Sequence, residues 1–358
     1  MRPRGIPGWL AVALAVALVV TGVWATSVSN SAFGAYNPGW EGTSELRVEA
    51  SDGSGQSSVA PRMDAYDGVS PDGTVAVVLS PDEAYTEAEA SRLRRFVRRG
   101  GTLVVAEDFG PHSNALLRRI GASTRVDGRL VRDERHYARS PNLTVATDVT
   151  ESPMTDGVDR LTLNHGTVLE PNGAPVLVET SPFAYVDANG NASLDASESM
   201  QQYPVVTVEQ LGDGHAVVVG DPSFFINAML DAPDNRRFVR ALFAAHTTVL
   251  LDYSHSDRLP PLVAARLALQ RSALLQSLAG LLLLGFVLLV SARRTGTRAH
   301  RPSGPAPPPS RERLRRRVTN RSSDRDAERI SRHVPGIITE ETKRGDGNTD
   351  DRQGGDGD

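Results

Sequence analysis

A chain of 358 residues with no cysteine has length for one or two domains. It excludes disulfides, thiolate metal sites and a thiol nucleophile. Its basic residues include a single lysine, Lys343, and Thr26 to Arg271 carries 32 Asp and Glu against 21 Arg, a net of −11. That acidic, lysine-poor balance suits high-salt surroundings, where net charge keeps a protein soluble and salt screens its self-repulsion. The absence of a basic stripe on this part argues against nucleic acid as a partner.

Two apolar segments frame the acidic part. Gly8 to Ala25 follows Arg2 and Arg4, and Ser272 to Ala292 precedes Arg293, Arg294, Arg298 and Arg301. Both are expected to cross a membrane. The first reads either as an uncleaved anchor or as a signal peptide cut near Val23-Trp24-Ala25. Arginine at both flanks and none between Thr26 and Glu45 predict a cell-membrane protein with two spans, both termini cytoplasmic and the main domain extracellular. The expected division is a membrane anchor over 1–25, an extracytoplasmic α/β domain over 26–258, a membrane-proximal and transmembrane helix over 259–292, and a disordered cytoplasmic tail over 293–358.

In chain order, Ser29 to Ser44 is turn-rich. Its Tyr36-Asn37-Pro38-Gly39-Trp40 reads either as a surface loop with a packed tryptophan or as a loop lining a site. Ser51 to Pro71 reads as a Gly/Ser/Asp linker. Val75 to Leu79 is a short apolar run suited to a strand buried on both faces. Thr86 with Glu89 forms a capping box, Leu93, Phe96 and Val97 mark one apolar helical face, and Gly100-Gly101 ends the helix. Leu103 to Val105 makes a second buried strand, parallel to the first across a right-handed crossover. His112 to Ile120 reads as a short helix. Strands are expected at Leu143–Ala146, Asp159–Leu163, Val176–Val178, Phe183–Val186, Val205–Glu209 and His215–Gly220. Helices follow at 222–230, 234–246 and from Leu259. Helices alternating with buried strands mean an α/β sheet.

The pieces YNPGWEGTS (36–44), the P-x-x-x-Y-T-x-x-E core with FVRRGGTLVVAED, and GDPSFFINAMLDAPDNRRFV (220–239) resemble haloarchaeal DUF4350 proteins. More distantly they are similar to GldG/IFT52-type relatives of class I glutamine amidotransferase-like domains. The resemblance implies a flavodoxin-like, mostly parallel α/β sheet flanked by helices, with the two transmembrane helices added. It also implies MoxR-type ATPases or DUF58 proteins as partners, and it supplies no reaction. The amidotransferase mechanism needs a cysteine nucleophile, which this chain lacks. No G-x-S-x-G, S-x-x-K or H-E-x-x-H string is present, and Asp108-Phe109-Gly110 stands without the other kinase motifs. The chain therefore points away from catalysis.

In open α/β sheets, ligands sit outside the carboxyl ends of the strands. Three such ends bring Asp82, Glu107, Asp108, Asp221 and Ser223 into question as a crevice for a cation or polar ligand, or as plain turn and helix caps. Asp221 before Pro222 fits an N-cap. The sharpest chemical signal is DANGNASLDASE, which sets Asp187, Asn189, Asn191, Ser193, Asp195 and Glu198 at positions 1, 3, 5, 7, 9 and 12 of a calcium loop. Ala192 replaces the usual glycine at position 6, and strands flank the loop, so weak Ca2+ binding and a simple polar hairpin both stand. Asn142-Leu143-Thr144 is a glycosylation sequon, and Asn191-Ala192-Ser193 competes with the calcium reading. The basic RERLRRR block in the tail suits anionic membrane lipid. The expected function is a membrane-anchored, non-catalytic binding or scaffold domain of the cell envelope. The alternatives are a metal-assisted hydrolase at the carboxylate crevice and a subunit of an envelope or transporter-associated complex.

Overall fold

The structure is a computed structural model that describes residues 10, 13, 14, 16–18, 20–22, 29–53, 55–256 and 260–296. The chain divides into two compact units, Met1–Leu281 and Leu282–Asp358. Of the second, residues 282–296 are described and are helical.

The first unit is built on an eight-stranded mixed sheet. Its strands are β1 (Gln56–Ala60), β2 (Thr74–Leu79), β3 (Thr102–Ala106), β6 (Asp148–Val149), β9 (Val176–Glu179), β11 (Pro204–Leu211), β12 (Gly214–Val219) and β13 (Thr248–Asp252), in the spatial order β1-β13-β2-β3-β12-β11-β9-β6. The five strands from β1 to β12 are parallel, and β11, β9 and β6 join antiparallel. A separate three-stranded sheet holds β4 (Arg125–Asp133) between β8 (Thr167–Glu170) and β10 (Ala184–Asp187). β5 (Val145–Ala146) and β7 (Leu161–Thr162) form a small ladder.

Alternation along the central strands splits the core in two. Val75, Val77, Val104, Val217, Val219, Val249 and Leu251 face α1 (Ser44–Gly53) and α5 (Asn235–Ala244), with Phe224 and Phe225 before the short α4 (Asn227–Leu230). Ala76, Val78, Leu103, Val105, Ala216, Val218 and Leu250 face α2 (Glu87–Arg98) and α3 (Ser113–Ile120). The expected capping box is formed: the Thr86 hydroxyl accepts from Glu89 N–H, and Glu89 accepts from Thr86 N–H at 2.8 Å. Across the first face, Glu49 of α1 is buried and bridges Arg236 and Arg240 of α5 at 2.6 Å each. Burial alone would raise the Glu49 pKa, but the two guanidinium groups outweigh it and hold the carboxylate below its ordinary range.

Two readings need correction. Among the described residues no helix is long and apolar enough to cross a membrane. A span needs about 20 apolar residues on one unbroken helix. The helix α6 (Pro261–Arg271) is parted from α7 (Ala273–Gly296) by extended Ser272, and Gln276, Ser277 and Ser291 interrupt the apolar surface of α7. Half of the first segment lies outside the described residues, as does the whole tail from 297. The two transmembrane helices, the two-span cell-membrane localisation and the inside/outside assignment are therefore not supported. Second, Ser51 to Pro71 is not a linker: it supplies the end of α1 and the edge strand β1. The sheet is mostly parallel as expected, with its three antiparallel strands gathered on one flank.

Candidate functional site: a switch-point crevice and an acidic loop

The connection leaving β3 runs through α3 on one face of the sheet, and the connection leaving β12 runs through α5 on the other. These two strands are neighbours, so their chains part at the carboxyl ends, the edge at which α/β sheets commonly place ligands. Glu107 and Asp108 follow β3, and Asp221 follows β12.

The three carboxylates differ sharply. Glu107 is fully buried and consumed by its own turn. Its Oε1 accepts from Ser80 Oγ, Asp108 N–H and Gly110 N–H, and its Oε2 accepts from Ser113 Oγ at 2.9 Å. Gly110 is required there, because a Cβ would stand 2.5 Å from Glu107 Oε2. Glu107 is a plain turn cap. Asp108 is half-buried and accepts from Phe109 N–H at 2.6 Å. Burial and then the neighbouring Glu107 push its pKa up.

Asp221 departs from the expected N-cap. It precedes the 3-10 turn Pro222–Phe225 and makes no side-chain cap hydrogen bond there, although the Ser223 and Phe224 N–H groups lie near enough to favour its charged form. Its Oδ2 accepts from Asn164 N–H at 2.6 Å. Its Oδ1 is buried with no hydrogen-bond partner among the described residues. Burial, reinforced by the charge of Asp108, pushes its pKa up to about 8. The segment over it is tight: a Cβ on Gly166 would meet Gly220 O at 3.0 Å and Asp221 Cβ at 3.2 Å.

Asp82 and Ser223 do not join this pair. Ser223 lies in the 3-10 turn and passes its carbonyl to Ile226 N–H. Asp82 lines a different cavity, of about 320 Å³, with Pro61, Tyr253 and Ser254. Beside that cavity lies a network with no counterpart in the sequence reading. Tyr66 donates to buried Asp252 at 2.7 Å, Ser254 Oγ and His255 Nδ1 are 2.9 Å apart, and His255 reaches Glu89 at 3.3 Å while lying on the Tyr85 ring. Burial raises the Asp252 pKa, although Ser254, Tyr66 and His255 oppose it.

The loop Asp187–Glu198 leaves β10 and turns as its spacing suggests. Asp187 is buried and accepts from the N–H groups of Asn191 (3.1 Å) and Ala192 (2.9 Å). Asn189 accepts from Asn191 N–H, and Asn191 from Ser193 N–H. Glu198 reaches back to Ala188 N–H (2.8 Å) and Asp195 N–H (3.0 Å). Ala192, at the position where calcium loops place glycine, has φ of 63°. The Asp195 carboxylate accepts the side-chain amides of Asn189 and Asn191. Among the described residues, no three Asp, Glu or His side chains gather as a metal cluster. The donors are all oxygen, which fits calcium chemically. A bound ion would exchange for the amide contacts now made to Asp195. Glu198 also walls a polar groove of about 650 Å³ that includes Asp127, Arg129, Glu170, Gln201 and Tyr203.

Asn142 is held in place: its amide lies against His165 and accepts from Ser140, and the sequon Thr144 is fully buried. Trp40 is 68 % exposed, so it is not a packed anchor. Its loop is sewn down instead by Asn227, whose amide donates to Asn37 O and Gly39 O.

Comparison with known proteins adds the following. No curated protein matches. Among solved structures, the mmIFT52 N-terminal domain matches at 18 % identity and a TM-score of 0.40, over 51 % of this chain and 78 % of that one. The cytoplasmic protein STM1381 from Salmonella typhimurium LT2 matches at 11 % identity and 0.34, over 57 % and 85 %. A polyextremophilic β-galactosidase from the Antarctic haloarchaeon Halorubrum lacusprofundi matches at 16 % and 0.28, over 48 % of this chain and only 22 % of the enzyme. The family model described as "Domain of unknown function (DUF4350)" matches residues 35–243, and the chain belongs to that family.

Proposed function

We propose that the chain is a non-catalytic binding domain that takes calcium in the Asp187–Glu198 loop and a polar ligand in the groove beside it. The observation that carries this is the loop itself. Asp187 draws in the N–H groups of positions 5 and 6, Glu198 closes the turn from position 12, and Ala192 holds the left-handed conformation between them. Asp187, Asn189, Asn191, Asp195, Glu198 and the Ser193 carbonyl would hold the ion. Calcium would neutralise the loop carboxylates and stiffen the groove wall formed by Glu198. With three carboxylates and no glycine at position 6, the affinity belongs to the weak class of extracellular modules, roughly 10⁻⁴ to 10⁻³ M. The test is calorimetric titration of Ca2+ into the wild type and Asp187→Ala. Saturable heat lost in the variant supports the reading, and no heat at millimolar Ca2+ ends it.

The acidic, lysine-poor composition supports a high-salt origin. The parallel core with a crevice between β3 and β12 supports kinship with amidotransferase-like domains, here without their nucleophile. The family resemblance supports MoxR-type or DUF58 proteins as partners in a complex. A pull-down with the intact chain tests that association.

A second reading, metal-assisted hydrolysis, is favoured by the unpartnered Asp221 Oδ1 beside Asp108 at the crevice. It requires Mg2+- or Mn2+-dependent release of nitrophenol from p-nitrophenyl phosphate that Asp221→Asn abolishes without unfolding the domain.

A further inference from the structure

The edge strand β1 is paired on one side only, by β13. Against it lies a cavity of about 270 Å³ whose polar wall comprises Tyr36, Arg47, Ser51, Ser57, Ser58 and Arg266. Its floor, Val59 and Leu251, is apolar. In a region with 32 acidic residues and 21 arginines, this cavity has two arginines and no carboxylate among its described lining residues.

Arg47 is pre-organised. Its Nε donates to Ala35 O at 3.0 Å, and its guanidinium carbon sits 5.0 Å from the centre of the Tyr36 ring. Both contacts fix the plane of the group and leave its two terminal nitrogens to bond elsewhere. Among the described residues it makes no ion pair, and neither does Arg266 of α6. Ser51 Oγ donates to Arg47 O at 2.9 Å and lies 2.8 Å from Ser57 Oγ, so hydroxyl groups stand along the same wall. A planar, already stacked guanidinium, a second cation and neighbouring hydroxyls match the oxygens of a phosphate. The volume sits just under the usual range for ligand pockets, about 300–1,000 Å³, which suits a compact molecule.

We infer that this cavity binds a small phosphate-bearing anion, with Arg47 and Arg266 as its charge partners. Tyr36 then places the start of the Tyr36–Trp40 loop in the wall of a site, while Trp40 stays exposed. The inference is independent of calcium, since no residue of the Asp187–Glu198 loop lines the cavity.

The experiment uses the full chain and inorganic phosphate as the probe. Melting temperature and 31P line width are measured against sodium chloride and sodium acetate at matched ionic strength, for the wild type, Arg47→Gln and Arg266→Gln. Phosphate is expected to raise the wild-type melting temperature beyond both controls and to broaden the 31P line. Each variant is expected to bind phosphate at least tenfold more weakly. Arg266→Gln alters an exposed helical position, so it carries the test if Arg47→Gln fails to fold. Three results overturn the inference: phosphate no better than chloride, acetate as effective as phosphate, or Arg266→Gln binding as the wild type does.

Discussion

Replacing Asp221 by Asn should change how stability depends on pH more than it changes stability itself. Asp221 is fully buried, and its pKa is raised from the ordinary 3.8 to about 8. The native state therefore holds a proton that the unfolded chain releases between about pH 4 and pH 8, and stability falls as pH rises through that window. The gap, at about 1.4 kcal/mol per pH unit, corresponds to roughly 6 kcal/mol lost by pH 9. Asn mimics the protonated acid: it keeps an oxygen for Asn164 N–H and does not titrate. Urea unfolding followed by circular dichroism from pH 4 to 9, at constant ionic strength, should give near-equal stabilities at pH 4. Asp221→Asn should become the more stable by several kcal/mol at pH 9. Parallel curves for the two proteins across the window would refute the reasoning, because they would mean that Asp221 ionises as freely in the fold as out of it.

Other outcomes follow from single contacts. Glu49→Gln leaves Arg240 without this anion and Arg236 with Glu45 and Asp231 alone; because Arg240 is largely exposed, it should cost about 1 kcal/mol, seen as a lower urea midpoint with an unchanged slope. Gly110→Ala puts a methyl group 2.5 Å from Glu107 Oε2. It should destabilise by roughly 1–3 kcal/mol, the cost of losing satisfied buried hydrogen bonds, measured by the same unfolding curves. Ala192→Gly removes a side chain from a backbone with φ of 63° and should stabilise the loop by about 1 kcal/mol. It should also tighten calcium binding, which calorimetry reads directly.

The strand–helix–strand unit from Thr74 to Ala106 was legible because every local signal agreed: buried valine runs, a capping box and a glycine pair. β13 was not. Thr248–Asp252 follows α5 without a turn residue of the usual kind, and its place between β1 and β2 depends on pairings across some 170 to 190 residues that no local pattern encodes. β1 was hidden for a different reason. An edge strand needs no apolar run, and Gln56-Ser57-Ser58 carries little periodicity. At the carboxyl edge of the sheet, the strand ends singled out Asp82, Glu107, Asp108, Asp221 and Ser223 alike. Only the fold distinguishes a saturated carboxylate from an unpartnered one, and only strand order sends Asp82 to another cavity. The His255–Glu89 contact joins residues 166 apart and has no spacing signature. The turn of the acidic loop was legible because its hydrogen bonds are local, with Ala192 in the left-handed conformation.

The most direct test is the amide spectrum of the 15N-labelled domain during Ca2+ addition. The account predicts saturable shifts of Ala188, Asn191, Ala192, Ser193 and Asp195, spreading to Gln201 and Tyr203 on the groove wall, and none with Mg2+ at the same concentration. A loop that stays silent at millimolar Ca2+, or shifts scattered equally over exposed carboxylates elsewhere, would contradict it.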